Sequence, residues 1–172
     1  EQSYERAKEY YEQAAQLGCA EAQYNLGFMY ESGRGVEQSL KAAVNLYTKA
    51  SDQNHASAQY NLGLLYYNGK GIEQDLKKAK HLWELAGNQK HVDAQCNLAD
   101  MYEKGEGMPV SLKKAKEWYS KAADQGDDLA IKHLARLNKL EDVTSTSSAS
   151  SFLDDVLVVC STCGSPAPVS SK

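Results

Sequence analysis

Apolar residues recur along this chain in blocks of 36. Ala22, Leu26, Met29 and Tyr30 fall at three- and four-residue steps, which is one face of a helix. The pattern returns as Ala58, Leu62, Leu65 and Tyr66, and again as Ala94, Leu98, Met101 and Tyr102. A second stripe alternates with the first. It reads Leu40, Ala43, Leu46, Tyr47, Ala50, then Leu76, Ala79, Leu82, Trp83, Ala86, then Leu112, Ala115, Trp118, Tyr119, Ala122. Moved back by one period it lands on Tyr4, Ala7, Tyr10, Tyr11, Ala14 and Ala15. The chain therefore predicts antiparallel helix pairs, and its opening segment is the second helix of an incomplete pair. Self-similarity at this period marks an array in which each unit buries its faces against its neighbours.

The punctuation agrees. The first helices run into Ser32-Gly33-Arg34-Gly35, Asn68-Gly69-Lys70-Gly71 and Lys104-Gly105-Glu106-Gly107. The first glycine of each loop suits a left-handed helix C-cap, and the second relieves a further tight position. Val36, Ile72 and Met108 then plug the space under the loop. Ser39, Asp75 and Ser111 are competent N-caps for the second helices. Gly27 and Gly63 permit close approach of another helix. His55 and His91 share one repeat position at the turn between units, where a histidine suits the dipole of a helix C-terminus. The boundaries that follow are 1–19 for the partial repeat and 20–55, 56–91 and 92–127 for three full ones. Residues 128–142 form a capping helix whose stripe is Leu129, Ala130, Leu134, Ala135 and Leu137. Residues 143–172 are a Ser/Thr-rich linker and tail, with a short helix or strand at 152–160.

The 36-residue spacing, N-L-G-x-x-Y, G-x-G followed by an apolar residue, and K-A-x-x-[L/W]-[Y/W]-x-x-A together resemble the Sel1-like repeat, a relative of the tetratricopeptide repeat. The resemblance covers residues 1 to about 140. It implies an all-α, right-handed solenoid that serves as an adaptor or scaffold for other proteins. It also implies that the first helices line the concave side. On that side lie Tyr24, Asn25, Phe28, Tyr60, Asn61, Leu64, Tyr67 and Asn97, the residues that the packing stripe leaves over. Their aromatic rings and amides suit a peptide segment or helix of a partner. In the third copy Cys96, Ala99 and Asp100 replace Tyr, Gly and a bulky residue. The expected binding end therefore lies toward the first two repeats.

Composition narrows the chemistry. The 172 residues carry a net charge of −4 and 42% apolar residues, with eleven Tyr against two Phe and two Trp. A mildly acidic chain lacks the basic field of a nucleic-acid binder. No apolar run is long enough to span a membrane. Lys77, Lys78, Lys80, Lys113, Lys114 and Lys116 read as a solvated outer face. The G-x-G loops follow helices and recur at the repeat period, so they are turns and not phosphate cradles. Cys160-Ser161-Thr162-Cys163 lacks the second ligand pair that structural zinc needs. Cys19 and Cys96 occupy unrelated repeat positions, which disfavours disulfide stapling and favours a reducing, cytoplasmic-type compartment, with a mitochondrial one as the alternative. No nucleophile, acid–base pair, cofactor motif or metal set is legible, so no enzyme activity is expected.

The functional expectation is a non-catalytic protein-interaction scaffold. The alternative is a regulatory or targeting arm of a larger enzyme or signalling protein, since the chain does not start with Met and reads as beginning mid-protein. Phe152, Leu153, Val156 and Leu157 form a second candidate motif, able to dock on the solenoid or to support self-association.

Overall fold

The computed structural model describes residues 2–140. Every regular element among them is helical: α1 (Gln2–Gln16), α2 (Ala20–Ser32), α3 (Leu40–Asp52), α4 (Ala56–Asn68), α5 (Leu76–Asn88), α6 (Val92–Lys104), α7 (Leu112–Ala123) and α8 (128–140). The residues of the tail motif and Cys160 and Cys163 lie outside the described residues. Residues up to Leu134 form one compact unit; 135–140, where Leu137 is buried, fall in a second.

Within the first unit helices pack in chain order. The tight pairs are α2 with α3, α4 with α5 and α6 with α7; looser contacts join α1 to α2, α3 to α4 and α5 to α6. The buried positions are the two stripes. Ala43, Tyr47, Ala50, Ala58, Leu62, Leu65 and Leu82 form one cluster, with Tyr24, Tyr30 and Ile72 packed against it. This is a solenoid core, continuous across repeats because no single helix pair can enclose it. Ser39, Asp75 and Ser111 accept hydrogen bonds from the N–H groups of Ala42, Lys78 and Lys114, so all three cap their helices as expected.

Two glycines show how helices are held together, one within a repeat and one between repeats. In α4, a Cβ on Gly63 would lie 2.5 Å from Nε1 of Trp83, which is 2% exposed and donates to the Tyr60 carbonyl at 3.1 Å. Gly71, the second glycine of its loop, has φ +71° and would place a Cβ 2.4 Å from Cβ of Leu40, at the start of the preceding repeat's second helix. The second glycine is thus an inter-repeat contact as well as a turn.

A side-chain relay not foreseen in the sequence joins successive repeats. Gln23, Gln59 and Gln95 are 5%, 1% and 2% exposed. Each donates Nε2 to a carbonyl of the preceding second helix: Ala15 at 3.2 Å, Ser51 at 3.5 Å and Gly87 at 2.8 Å. Each accepts, through Oε1, from the glutamine that ends its own repeat's second helix: Gln53, Gln89 and Gln125, at 2.8, 2.7 and 2.8 Å. A buried amide satisfied on both sides contributes about 1 kcal/mol per bond, and it costs more than that when one partner is lost.

Three expectations need correction. His55 and His91 cap the N-termini of α4 and α6, not a preceding C-terminus: Nδ1 accepts from Ala58 N–H and Ala94 N–H. The hydrogen bond wins because the residue already has the extended backbone of an N-cap. In α8, Ala130 and Leu137 are buried, but Leu129 is 64% exposed. Its repeat equivalents are Glu21, Ser57 and Asp93, all outward-facing positions. Ala135 is exposed too, because among the described residues no second helix follows α8. In α1, Tyr10 is 72% exposed and Tyr4 48%, since no described helix precedes it.

The two glycines of one loop make a discriminating pair. Gly71→Ala should lower unfolding free energy by about 2–4 kcal/mol, the left-handed cost plus a clash. Gly69→Ala, whose Cβ would meet Gln74 Cβ at 3.3 Å, should cost only about 1–2 kcal/mol. Urea denaturation followed by circular dichroism measures both, and equal losses would remove the inter-repeat role of Gly71.

Candidate functional site

The first helices α2, α4 and α6 each turn one stripe to the core and hold a second, half-exposed stripe beside it. On α2, Tyr24 stacks on His55 with ring centroids 4.9 Å apart, and the Asn25 amide donates to Glu21 at 3.0 Å. Phe28 is 42% exposed beneath the Arg34 guanidinium, 5.8 Å away. On α4, Tyr60 stacks on His91 at 4.6 Å, and the Asn61 amide donates to the Tyr47 hydroxyl at 3.1 Å. Tyr47 in turn donates to Glu31 at 2.6 Å. Tyr24, Tyr60, Asn25 and Asn61 therefore have intramolecular partners already, and any contact they make with a ligand would add to these. Cys96, at the position of the two stacked tyrosines, instead donates to Asp127 at 3.7 Å.

The remaining three predicted residues converge. Leu64, Tyr67 and Asn97 line one cleft between α4 and α6, with Trp83 and Met101 and with Asn68, Asp100, Lys104 and Glu106 around them. Its volume is about 200 Å³, below the ~300 Å³ at which small-molecule sites begin, and it suits a single long side chain. Tyr67 packs at 5.3 Å from Trp83 and donates to Glu106 at 2.5 Å. The cleft lies between the second and third repeats, one step further along than the sequence suggested. Asp100 and Glu106, the residues by which the third copy departs from its neighbours, form part of its wall.

Acidic groups outnumber basic ones on this face, where Lys104 and Arg34 are the cations beside the cleft and Phe28. The Tyr67 hydroxyl is pushed up to about 12, first by its bond to Glu106 and then by burial. Burial, followed by Asp127, pushes the Cys96 thiol up to about 12. Burial and then Glu31 raise Tyr47; burial and then Asp100 raise Tyr119. Each of these acidic groups disfavours further negative charge and would favour a cation. The lysines of α5 and α7 sit elsewhere: Lys78 lies over the Tyr66 ring at 5.1 Å, and Lys80 and Lys114 lie over Tyr102 at 5.5 and 5.1 Å. Among the described residues no helix is long and apolar enough to cross a membrane.

Stacked helix pairs, a recurring half-exposed helix face and a side-chain-sized cleft define a helical-repeat protein of the α-solenoid class. A family model described as the Sel1 repeat matches residues 1–19, 20–55, 56–91 and 92–127. The chain belongs to the Sel1 repeat family, whose members are generally protein-interaction scaffolds and typically non-catalytic. Among solved structures, a Sel1 repeat protein from Oxalobacter formigenes is 28% identical with a TM-score of 0.74, over 77% of this chain and 54% of that one. The protein c5321, a protective antigen of uropathogenic Escherichia coli strains displaying an SLR fold, is 35% identical with a TM-score of 0.73, over 75% of this chain and 28% of its own. This chain thus spans about half the length of the first and little over a quarter of the second. Cysteine rich protein B of Helicobacter pylori, at 24% identity and a TM-score of 0.59, shares the fold, over 74% of this chain and 96% of its own. A comparison with curated proteins finds no match.

Capping by a neutral imidazole has a pH signature. Burial lowers the basicity of His91 below the ordinary value near 6.5, with Asp93 pulling more weakly the other way. The unfolded chain then binds more protons than the folded one through this window, so stability is full above about pH 6.5 and falls as pH drops. His91→Asn keeps a cap that does not titrate. On acidification from about pH 7.5 to about pH 5, wild-type protein should lose more stability than this variant in urea melts. Parallel pH dependence would remove the capping role.

Proposed function

We propose that this chain is a non-catalytic adaptor that binds a basic segment of a partner protein along its first-helix face, the concave side of the repeat stack. The observation that carries the reading is the cleft of Leu64, Tyr67, Trp83 and Asn97 with Asp100 and Glu106 in its wall. A lysine or arginine side chain fits it in three respects. The aliphatic stem packs on Leu64 and Met101, the cationic head meets two carboxylates, and a guanidinium stacks on aromatic rings. Along the same face Phe28 offers an exposed ring, and Glu31, Glu103 and Asp100 extend the negative field.

Much of the affinity is then electrostatic at long range and apolar at the anchor. Interfaces of this sort concentrate their energy in a few buried anchors, and exposed charge pairs add little each. The amides of Asn25 and Asn61 hold the shape of the face and contribute through it. Asn97, in the cleft wall, is the asparagine placed to meet ligand directly.

An array of peptides differing in charge and aromatic content tests this. Peptides with a Lys or Arg anchor should be retained and acidic ones should not. Leu64→Ala combined with Tyr67→Phe should weaken retention by about tenfold or more, equivalent to ~1.4 kcal/mol, and ~0.5 M salt should weaken it further. Retention of acidic peptides, or basic-peptide binding indifferent to the double variant, would overturn the reading.

A further inference from the structure

The third repeat differs from the other two at Asp100, and it shares an acidic residue with the first at Glu103. At the repeat positions of Phe28 and Leu64 it carries Asp100; at those of Glu31 and Tyr67 it carries Glu103. On the next helix, at the position of Asn25, Asn61 and Asn97, it carries His133. These three side chains meet in space. One oxygen of each carboxylate and one ring nitrogen of His133 all lie within 4.8 Å of one another, on half-buried side chains. No other grouping of three such residues occurs among the described residues.

We propose that Asp100, Glu103 and His133 form a divalent-metal site of the zinc class, joining α6 to α8. Two carboxylates and an imidazole are a sufficient protein donor set for a tetrahedral ion with one open position, which water or a partner's side chain would fill. In such a tetrahedron, metal–donor distances of about 2.0–2.2 Å bring donors to roughly 3.3–3.6 Å apart. Half-exposed side chains can close that gap by rotation.

The surroundings are of the kind that support ligands from behind. Tyr119, 1% exposed, donates its hydroxyl to Asp100 and, at 3.3 Å, to Glu103. One phenol thus orients both carboxylates and leaves each with further lone pairs. The His133 ring stacks on the Tyr119 ring with centroids 4.9 Å apart and planes 19° apart, which fixes the imidazole plane beside the carboxylates. Lys104, 3.7 Å from the other oxygen of Asp100, is a competing cation, and it is exposed. The simpler use of the cluster is to hold α6 and α8 together by side-chain contacts alone. That use predicts no stoichiometric metal uptake, and so the experiment separates the two.

The site shares Asp100 with the wall of the cleft, but its test reads metal uptake and not peptide retention, so the two readings can fail separately. The full chain, freed of any affinity tag and carrying Cys160→Ser and Cys163→Ser to silence the tail thiols, is stripped with a chelator. It is then titrated with Co²⁺ and Zn²⁺ near neutral pH, with calorimetry and visible absorption as readouts. The expected result is one ion per chain, with Co²⁺ d–d bands from oxygen and nitrogen donors and no thiolate charge-transfer band. His133→Asn restores the residue of the three preceding copies, and Glu103→Gln conserves shape. Each should weaken Zn²⁺ binding by about tenfold or more while the far-ultraviolet circular dichroism stays unchanged. Absence of stoichiometric binding, or binding unaffected by both variants, would overturn the site.

Discussion

A two-helix unit of this size cannot cover both of its faces, and the molecule is built around that constraint. What closes each interface is chiefly backbone approach and amide pairing. Gly71 lies against Leu40 and its equivalent Gly107 against Leu76, where no side chain fits. Within its own repeat, Gly63 lies against the Trp83 ring and closes the helix pair. Gln59 spans from the Ser51 carbonyl to Gln89 and so ties the second helices of consecutive repeats through the first helix between them. These contacts repeat every 36 residues, and stability accumulates by nearest-neighbour increments.

The same constraint decides what is left for function. Positions needed for stacking cannot vary without loss of the interface; those on the second stripe of the first helices can. Phe28, Leu64 and Asp100 occupy one such position, and Glu31, Tyr67 and Glu103 another. Variation at these positions gives each repeat its own surface on a common frame. It places an aromatic, acid-walled cleft between the second and third repeats and the carboxylate–imidazole cluster beyond it. Acidic side chains predominate on that face, with Lys104 and Arg34 among them, while the lysines of α5 and α7 lie over Tyr66 and Tyr102 elsewhere.

The helix pairs, the stripes, the N-caps at Ser39, Asp75 and Ser111 and the turn role of the glycines were legible because they obey local periodicity. The glutamine relay was not, although its signal was present: an Ala-Gln pair at every first helix and a glutamine thirty residues on. Its meaning depends on a contact across repeats that spacing alone does not display. The histidine caps were misread because the turn between repeats is the end of one helix and the start of the next, and sequence does not say which end the imidazole serves. Of the eight residues proposed for the binding face, Leu64, Tyr67 and Asn97 meet in one cleft. Tyr24, Asn25, Tyr60 and Asn61 are engaged with His55, Glu21, His91 and Tyr47. His133 was passed over because its partners, Asp100 and Glu103, lie thirty or more residues away.

Stacking consumes one stripe of each first helix, and the other stripe is the one proposed to bind a basic segment. Amide chemical-shift mapping by two-dimensional NMR, with an arginine-anchored peptide added in steps, tests it most directly. The account predicts saturable shifts centred on Leu64, Tyr67, Asn97 and Asp100, fading toward α1 and absent from α5 and α7 around Lys77–Lys80 and Lys113–Lys116. Shifts centred on those lysine faces, or spread evenly over the surface, would contradict it.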